Sequence, residues 1–428
     1  MTAGAARTMA GCALAMVAVL ALGCKPASTD RTTVSFWAMG REGEVVSQLL
    51  PEFERRHPRI HVELQQLPWT AAHEKLLTAF AGDALPDICQ LGNTWIPEFA
   101  ALDALDPLDQ RVAASAAIEK ADYFPGIWDT NVIEGALLGV PWYVDTRLLF
   151  YRKDLLAEAG FAEAPKDWSS WHEAMRAIKR KAGDKGYAIL LPLDEFEPLL
   201  QLAIQQDDPL LRDDGTRGNF ESAGFREAFD FYTSMFREEL APRMSDTQIS
   251  NVWNEFANGL FAFYITGPWN IGEFKRRLPA ELADQWMTAP LPGRNGRGGG
   301  VAGGTSLVLF RDSPNKEAAW LLLEYLSEPD VQRRFHALTG DLPPRRSVWD
   351  DPVLAGDPYA RAFREQLEHA RATPKVAEWE RIANEMQRAA ERVVRGGADA
   401  DATLRALDAE VDKILEKRRW MLAQEKSP

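Results

Sequence analysis

Apolar positions along the chain recur in two rhythms, and these divide its first third into strands and helices. Thr33-Val-Ser-Phe-Trp37 reads as a first strand. Over 44–56, Val45, Val46, Leu49, Leu50 and Phe53 return at helical spacing. Pro51 falls inside that pattern and lacks the N–H that a helix interior needs. A kink or a late start is expected there, and His57-Pro58 stops the helix. Ile60, Val62 and Leu64 alternate with polar residues as a second strand. Leu76, Leu77 and Phe80 mark a helix over 70–81 that Gly82 ends, and 86–91 reads as a third strand. This strand–helix order predicts α/β layers on a largely parallel sheet. Ligands of such sheets bind beyond the carboxyl ends of the strands, here the loops 38–43, 66–69 and 92–95.

The stretch 139–154 organises the rest. Pro141 pushes Val140 out of helical geometry, and 148–151 is an apolar, β-like run. Between them lie Trp142, Tyr143, Asp145, Thr146 and Arg147. Aromatic faces stack on the C–H faces of sugar rings, and carboxylates and guanidinium forks bond their hydroxyls. The segment reads as a crossover strand between two lobes, with its polar residues toward a cleft. A buried strand with Trp142 and Tyr143 in the core is the plainer alternative.

Further on, helices are expected over 154–160, 168–181, 223–239 and 315–327, with strands over 258–265 and 305–310. Phe225, Phe229, Tyr232 and Phe236 form a stripe that reads as core, as do Trp37 and Trp128. Segment 207–219 reads as an exposed turn region. The glycine-rich run 294–304 lacks the Gly-Lys-Ser/Thr ending of a phosphate loop. Leu342-Pro-Pro-Arg-Arg-Ser347 is an extended basic loop, and Leu404, Leu407, Val411, Ile414 and Leu415 mark a last helix.

Composition narrows the function. The 428 residues carry a formal charge of −14 with no basic stripe, which argues against a nucleic-acid partner. Arg7 and the apolar run 9–22 read as a signal segment over 1–23. It ends in Leu20-Ala-Leu-Gly-Cys24, which looks like a lipoprotein signal with Cys24 as the lipidated residue. An ordinary secretory signal cut near Ala27 is the alternative. Residues 24–31 would be a tether. Cys12 lies too early for lipidation, and Cys89 reads as a small buried hydrophobe. His57 and His61 flank a proline turn and cannot share a helical face, so no metal site is expected.

A series of short motifs then carries a resemblance. It runs from Val34-Ser-Phe-Trp37 through Pro68-Trp69, Leu85-Pro-Asp-Ile88 and Tyr123-Phe-Pro-Gly-Ile-Trp-Asp129 to Val140-Pro-Trp-Tyr-Val-Asp-Thr-Arg147. It continues in Ile265-Thr-Gly-Pro-Trp-Asn-Ile271, Ala302-Gly-Gly-Thr-Ser306 and Gly340-Asp-Leu-Pro-Pro-Arg345. In number and order these resemble the family 1 extracellular solute-binding proteins, which serve ATP-driven sugar importers and include maltose- and trehalose-binding proteins. The resemblance implies a type II periplasmic binding protein fold, with two α/β lobes closing by hinge crossovers around a ligand cleft. The lobes would be 32–143 with 305–340, and 144–304 with 341–428. Glu42, Asp145 and Arg345 would bond sugar hydroxyls. Trp69, Asn93 and Trp95 would line one wall, Trp142 and Tyr143 the first crossover, and Trp269 the opposite platform. Gly303, Gly304 and Thr305 would offer groups at a second crossover. The implied partners are an oligosaccharide, an importer permease and a membrane reached through Cys24; the implied state is a periplasmic monomer without cofactor. A secreted glycoside hydrolase with paired carboxylates is the competing reading.

Overall fold

A computed structural model describes residues 31–425. The expected signal, Cys24 and nearly all of the tether lie outside the described residues. Nine strands build two main sheets: β1 (Thr32–Met39), β2 (Ile60–Leu67), β3 (Ile88–Gly92), β4 (Val140–Asp145), β5 (Leu148–Arg152), β6 (Ile189–Leu190), β7 (Phe263–Thr266), β8 (Trp286–Ala289) and β9 (Gly303–Leu309). The first sheet has the order β2-β1-β3-β9-β4, and the second β8-β5-β7-β6. Helices cover both sheets, and the molecule is two α/β lobes.

The sheets are mixed rather than largely parallel. β1 runs parallel to β2 and β3, but β9 is antiparallel to β3 and β4. In the second sheet β5 is antiparallel to β7 and β8. The reason lies in the connections. A strand that enters a sheet from the other lobe comes in from the cleft side, against the direction of the strands already there. β4 and β5 show the crossing itself: one belongs to the first sheet and the next, two residues later, to the second.

The first sheet is buried on both faces. Phe36, Ile88, Leu307 and Leu309 join one apolar cluster, whereas Cys89, Leu91 and Val308 join another on the opposite side. Burial pushes the Cys89 thiol well above its usual range, so it stays protonated. The expected helix over 44–56 is two helices, Gly40–Val46 and Leu50–Arg56. Pro51 sits in the first turn of the second, where its missing N–H costs nothing. The second lobe buries its own core, including the stripe Phe225, Phe229, Tyr232 and Phe236. Helix Trp168–Ala182 starts at a capping box in which Asp167 accepts from Ser170 N at 2.8 Å. Two long helices, Trp379–Gly396 and Ala400–Ile414, close this lobe, with Gly397 turning the chain between them at φ 64°.

Candidate functional site

The ends of β3, β4 and β9 open on a cavity of about 610 Å³ between the two sheets. From one side it is lined by Glu42, Trp69, Asn93, Thr94 and Trp95, and from the other by Glu197, Trp269 and Glu380. Tyr143, Asp145, Gly303, Gly304 and Thr305 line it where the chain crosses between lobes. Ten of the twelve residues singled out in the sequence therefore meet at one cavity.

Local sequence explains each placement. Trp69 opens helix Trp69–Ala81 directly after Pro68 and stays 36% exposed. Its ring meets Trp95 edge to face at 5.7 Å, and Trp95 also lies against His73 at 4.9 Å. Trp269 opens helix Trp269–Arg277 and is 38% exposed. Its indole folds back over Gly267, where a Cβ would come within 1.8 Å of the ring, so only glycine fits there. Arg147 packs over the Trp269 ring at 5.6 Å and is gripped by Glu195 at 2.7 Å and Glu197 at 3.0 Å. Burial works against its charge, but Glu197, Glu195 and Asp145 outweigh that and hold it protonated. The Asn93 amide donates to Ala302 O at 2.8 Å and ties β3 to the second crossover.

Gly303 and Gly304 owe their identity to packing. A Cβ at Gly303 would lie 2.1 Å from Asp145 O, and one at Gly304 would lie 2.3 Å from Tyr143 O. Gly304 also has φ +122°, a conformation closed to side chains. These glycines let β9 press against β4 where the two lobes join.

The cavity is acidic. Burial raises Asp145 to about 6, with Arg147 pulling it down and Glu197 pushing it up. Burial also raises Glu42 and Glu380, and it raises Asp341 well above the usual carboxylate range. The Tyr143 phenol is driven up by burial and by Glu42, Asp341 and Asp145, so it remains a donor. Asp145 Oδ1, Glu42 Oε2 and Asp341 Oδ2 are buried and accept no hydrogen bond from the described residues. Buried acceptors of this kind are suited to a ligand that brings hydroxyl donors.

Two expected contacts lie elsewhere. Trp142 is 1% exposed and stacks on Phe335 at 4.4 Å. It is skipped in the register between β4 and β9, where Tyr143 pairs with Thr305 and Pro141 with Ser306, and this bulge carries its ring into the core against Phe335 instead of the cavity. Arg345 is buried and pairs with Asp122 at 2.6 Å while donating to Ala117 O and Ser327 O. It ties the segment after Gly340 to Asp122 and Ala117 and does not line the cavity. Its neighbour Arg346 pairs with Glu368. The sequence reading missed Thr94, Glu197, Asp341, Glu380 and the clamp around Arg147. Asp341 lies inside the Gly340-Asp-Leu-Pro-Pro-Arg345 motif, which was its one signal; the glutamates open helices and look like ordinary favourable charges there.

Comparison with known proteins decides the family. A model described as bacterial extracellular solute-binding protein matches residues 39–333. The chain belongs to that family. This solute-binding protein is similar to the sugar-binding protein MalE from the phytopathogen Xanthomonas citri. The two are 60% identical, with 92% of this chain and 100% of that one covered and a TM-score of 0.89. Maltose-bound MalE3 of T. maritima matches at 25% identity over 90% of this chain and 100% of its own, with a TM-score of 0.75. The diacetylchitobiose binding protein DasA of Streptomyces coelicolor is 23% identical, covering 90% of this chain and 91% of its own. Members of this family bind rather than catalyse, and the hydrolase alternative gains no support from these relatives.

Proposed function

We propose that this solute-binding protein captures a neutral oligosaccharide in the interlobe cavity and delivers it to the permease of an ATP-driven importer. One observation carries the reading: Trp69, Trp95 and Trp269 converge with unpartnered carboxylate oxygens on a single cavity of about 610 Å³. That volume is in the ordinary range for small ligands, and indole faces with hydroxyl acceptors are the complement of a sugar. Indole platforms on two sides suit a ligand of two rings. An α-linked disaccharide of the trehalose or maltose type is the specific assignment, supported by the sugar-binding MalE and maltose-bound MalE3.

The carboxylates also set what the site refuses. Glu42, Asp145, Glu197, Asp341 and Glu380 line it, and its cation Arg147 is already held by two glutamates. Phosphorylated and uronic sugars are therefore repelled. In this reading residues 32–143 with 305–340 form the N-terminal lobe and 144–304 with 341–428 the C-terminal lobe. They close about the crossovers as other two-lobed binders do. Cys24 carries a lipid that holds the protein at the membrane, where it works as a monomer facing the permease.

The test is calorimetric titration of the ligand-free mature protein with a panel of neutral disaccharides and their phosphorylated counterparts. The expected result is one-to-one, micromolar or tighter binding of a neutral member, and no binding of its phosphate ester. Silence across the neutral panel overturns the assignment.

A further inference from the structure

Asp341 follows Gly340, whose left-handed conformation at φ 85° ends helix Pro329–Thr339 and turns the chain back toward the cavity. Its position is fixed on both sides: its N–H donates to Thr339 Oγ1 at 3.0 Å, and its carbonyl meets His336 Nδ1 at 2.8 Å. The side chain enters the same cavity as that of Glu42, which comes from the first turn of helix Gly40–Val46, and Arg41 of that helix donates to Leu338 O of helix Pro329–Thr339 at 3.1 Å, so the two carboxyls come in from adjoining elements. Both residues line the sugar cavity, and Asp341 is only 6% exposed. Glu42 Oε2 and Asp341 Oδ2 are buried without a donor among the described residues, and neither carboxyl joins an ion pair there.

We propose that Glu42 and Asp341 act as one proton-sharing unit, which keeps a single proton at neutral pH and offers the sugar both an O–H donor and carboxylate acceptors. The proposal rests on the sugar-binding reading and deepens it. Two desolvated carboxyls facing one small cavity from adjoining elements cannot both ionise cheaply, so one proton stays with the pair. The groups around the pair do not neutralise it. Arg41, beside Glu42 on the same helix, draws that carboxyl down, but its guanidinium donates to Leu338 O on the exposed rim. The Trp69 indole lies beside Glu42 and also favours its ionised form. From β4, Tyr143 and Asp145 face the pair, and the Asp145 charge adds to the repulsion on Asp341. Thr339 lowers Asp341, and burial keeps His336 neutral-leaning. Burial of both carboxyls outweighs these attractions.

The chemical consequence is specific. A fully ionised pair could only accept hydrogen bonds. A singly protonated pair can donate to one sugar oxygen while accepting from a neighbouring hydroxyl, which matches adjacent hydroxyls on a ring. Sugar that covers the pair removes more water and strengthens its hold on the proton. On the alkaline side, where the free pair has lost the proton, binding must take one up from the buffer.

The experiment is calorimetric titration between pH 7 and 9.5, in paired buffers of different ionisation enthalpy, with the disaccharide that the neutral panel selects. The wild type should take up a growing fraction of one proton per sugar, and its affinity should fall up to tenfold per pH unit. Asp341→Asn keeps a donor and an acceptor without titrating. It should lose both the alkaline fall and the proton uptake, whatever its affinity at pH 7. Glu42→Gln serves as the second variant, with circular dichroism as the check of folding. Affinity that is flat from pH 7 to 9.5 with no buffer dependence overturns the proposal, as does an alkaline fall that survives both variants. Should no sugar bind, the sugar reading fails by itself. The pair is then read in the ligand-free protein by carboxyl carbon NMR: one of the two should still be protonated at pH 7, and ionisation of both at that pH overturns the inference.

Discussion

The Thr94 hydroxyl donates a 2.6 Å hydrogen bond to Glu380 across the cavity. Thr94 follows β3 of the first sheet, and Glu380 lies in the first turn of helix Trp379–Gly396, packed on the second lobe. Because it joins the two walls of the cavity, this bond should favour the closed form. Thr94→Val removes the donor and leaves a half-buried carboxylate alone. A hydrogen bond to a charged group contributes about 1–2 kcal/mol, so sugar affinity should fall roughly 5- to 30-fold. Small-angle scattering should show a larger radius of gyration for the ligand-free variant. An unchanged radius and affinity would remove the latch from the account.

Trp269 offers its face rather than its bulk to the fold, as its 38% exposure indicates. Trp269→Ala should cost sugar binding about 1–3 kcal/mol, the worth of one lost stacking platform. Thermal unfolding should move little. A large drop in stability with affinity preserved would assign Trp269 to the core.

Trp142 and Arg345 should behave the opposite way. Trp142→Ala opens a hole beside Phe335 and Phe36 and should destabilise by about 3–5 kcal/mol. Arg345→Ala takes one partner from partly buried Asp122, which keeps Ser347, and leaves Ala117 O and Ser327 O without their donor, so it should cost about 1–3 kcal/mol. Denaturant unfolding measures both, and calorimetry on the folded fraction should find nearly native affinity.

Asp145 gives the stability curve a readable feature. Its carboxyl titrates near pH 6 in the fold against a reference of 3.8, so the folded state holds its proton where the unfolded chain has lost it. Stability therefore falls as pH rises from about 4 to about 6. By pH 7 the buried charge costs about 2–3 kcal/mol, a figure that follows from the size of the shift. Asp145→Asn should accordingly melt higher than wild type at pH 7 and show no gain at pH 4. Equal gains at both pH values would contradict the assignment.

Much of this arrangement was legible before the structure. Pro141, followed by an apolar run, marked the crossover, and β4 and β5 fall in different sheets. Trp69 and Trp269 were placed at the cleft by the motifs around Pro68 and Pro268 that carry the family resemblance, and both line the cavity. Strand direction was not legible, because it depends on which lobe a strand returns from. Trp142 lies in the core because β4 bulges there, and a bulge depends on the partner strand β9, which local sequence does not reveal. Arg345 finds its partner Asp122 more than two hundred residues away, a pairing that spacing cannot reveal. Glu197, Asp341 and Glu380 hid among 63 acidic residues.

The most direct test is a crystal structure of the mature protein with the neutral disaccharide that binds best. The account predicts difference density between Trp269 and the Trp69–Trp95 wall, with sugar hydroxyls within hydrogen-bond distance of Asp145 and of Glu42 or Asp341. Sugar density confined to another hollow, such as the one beside the glycine-rich segment 293–300, would contradict it.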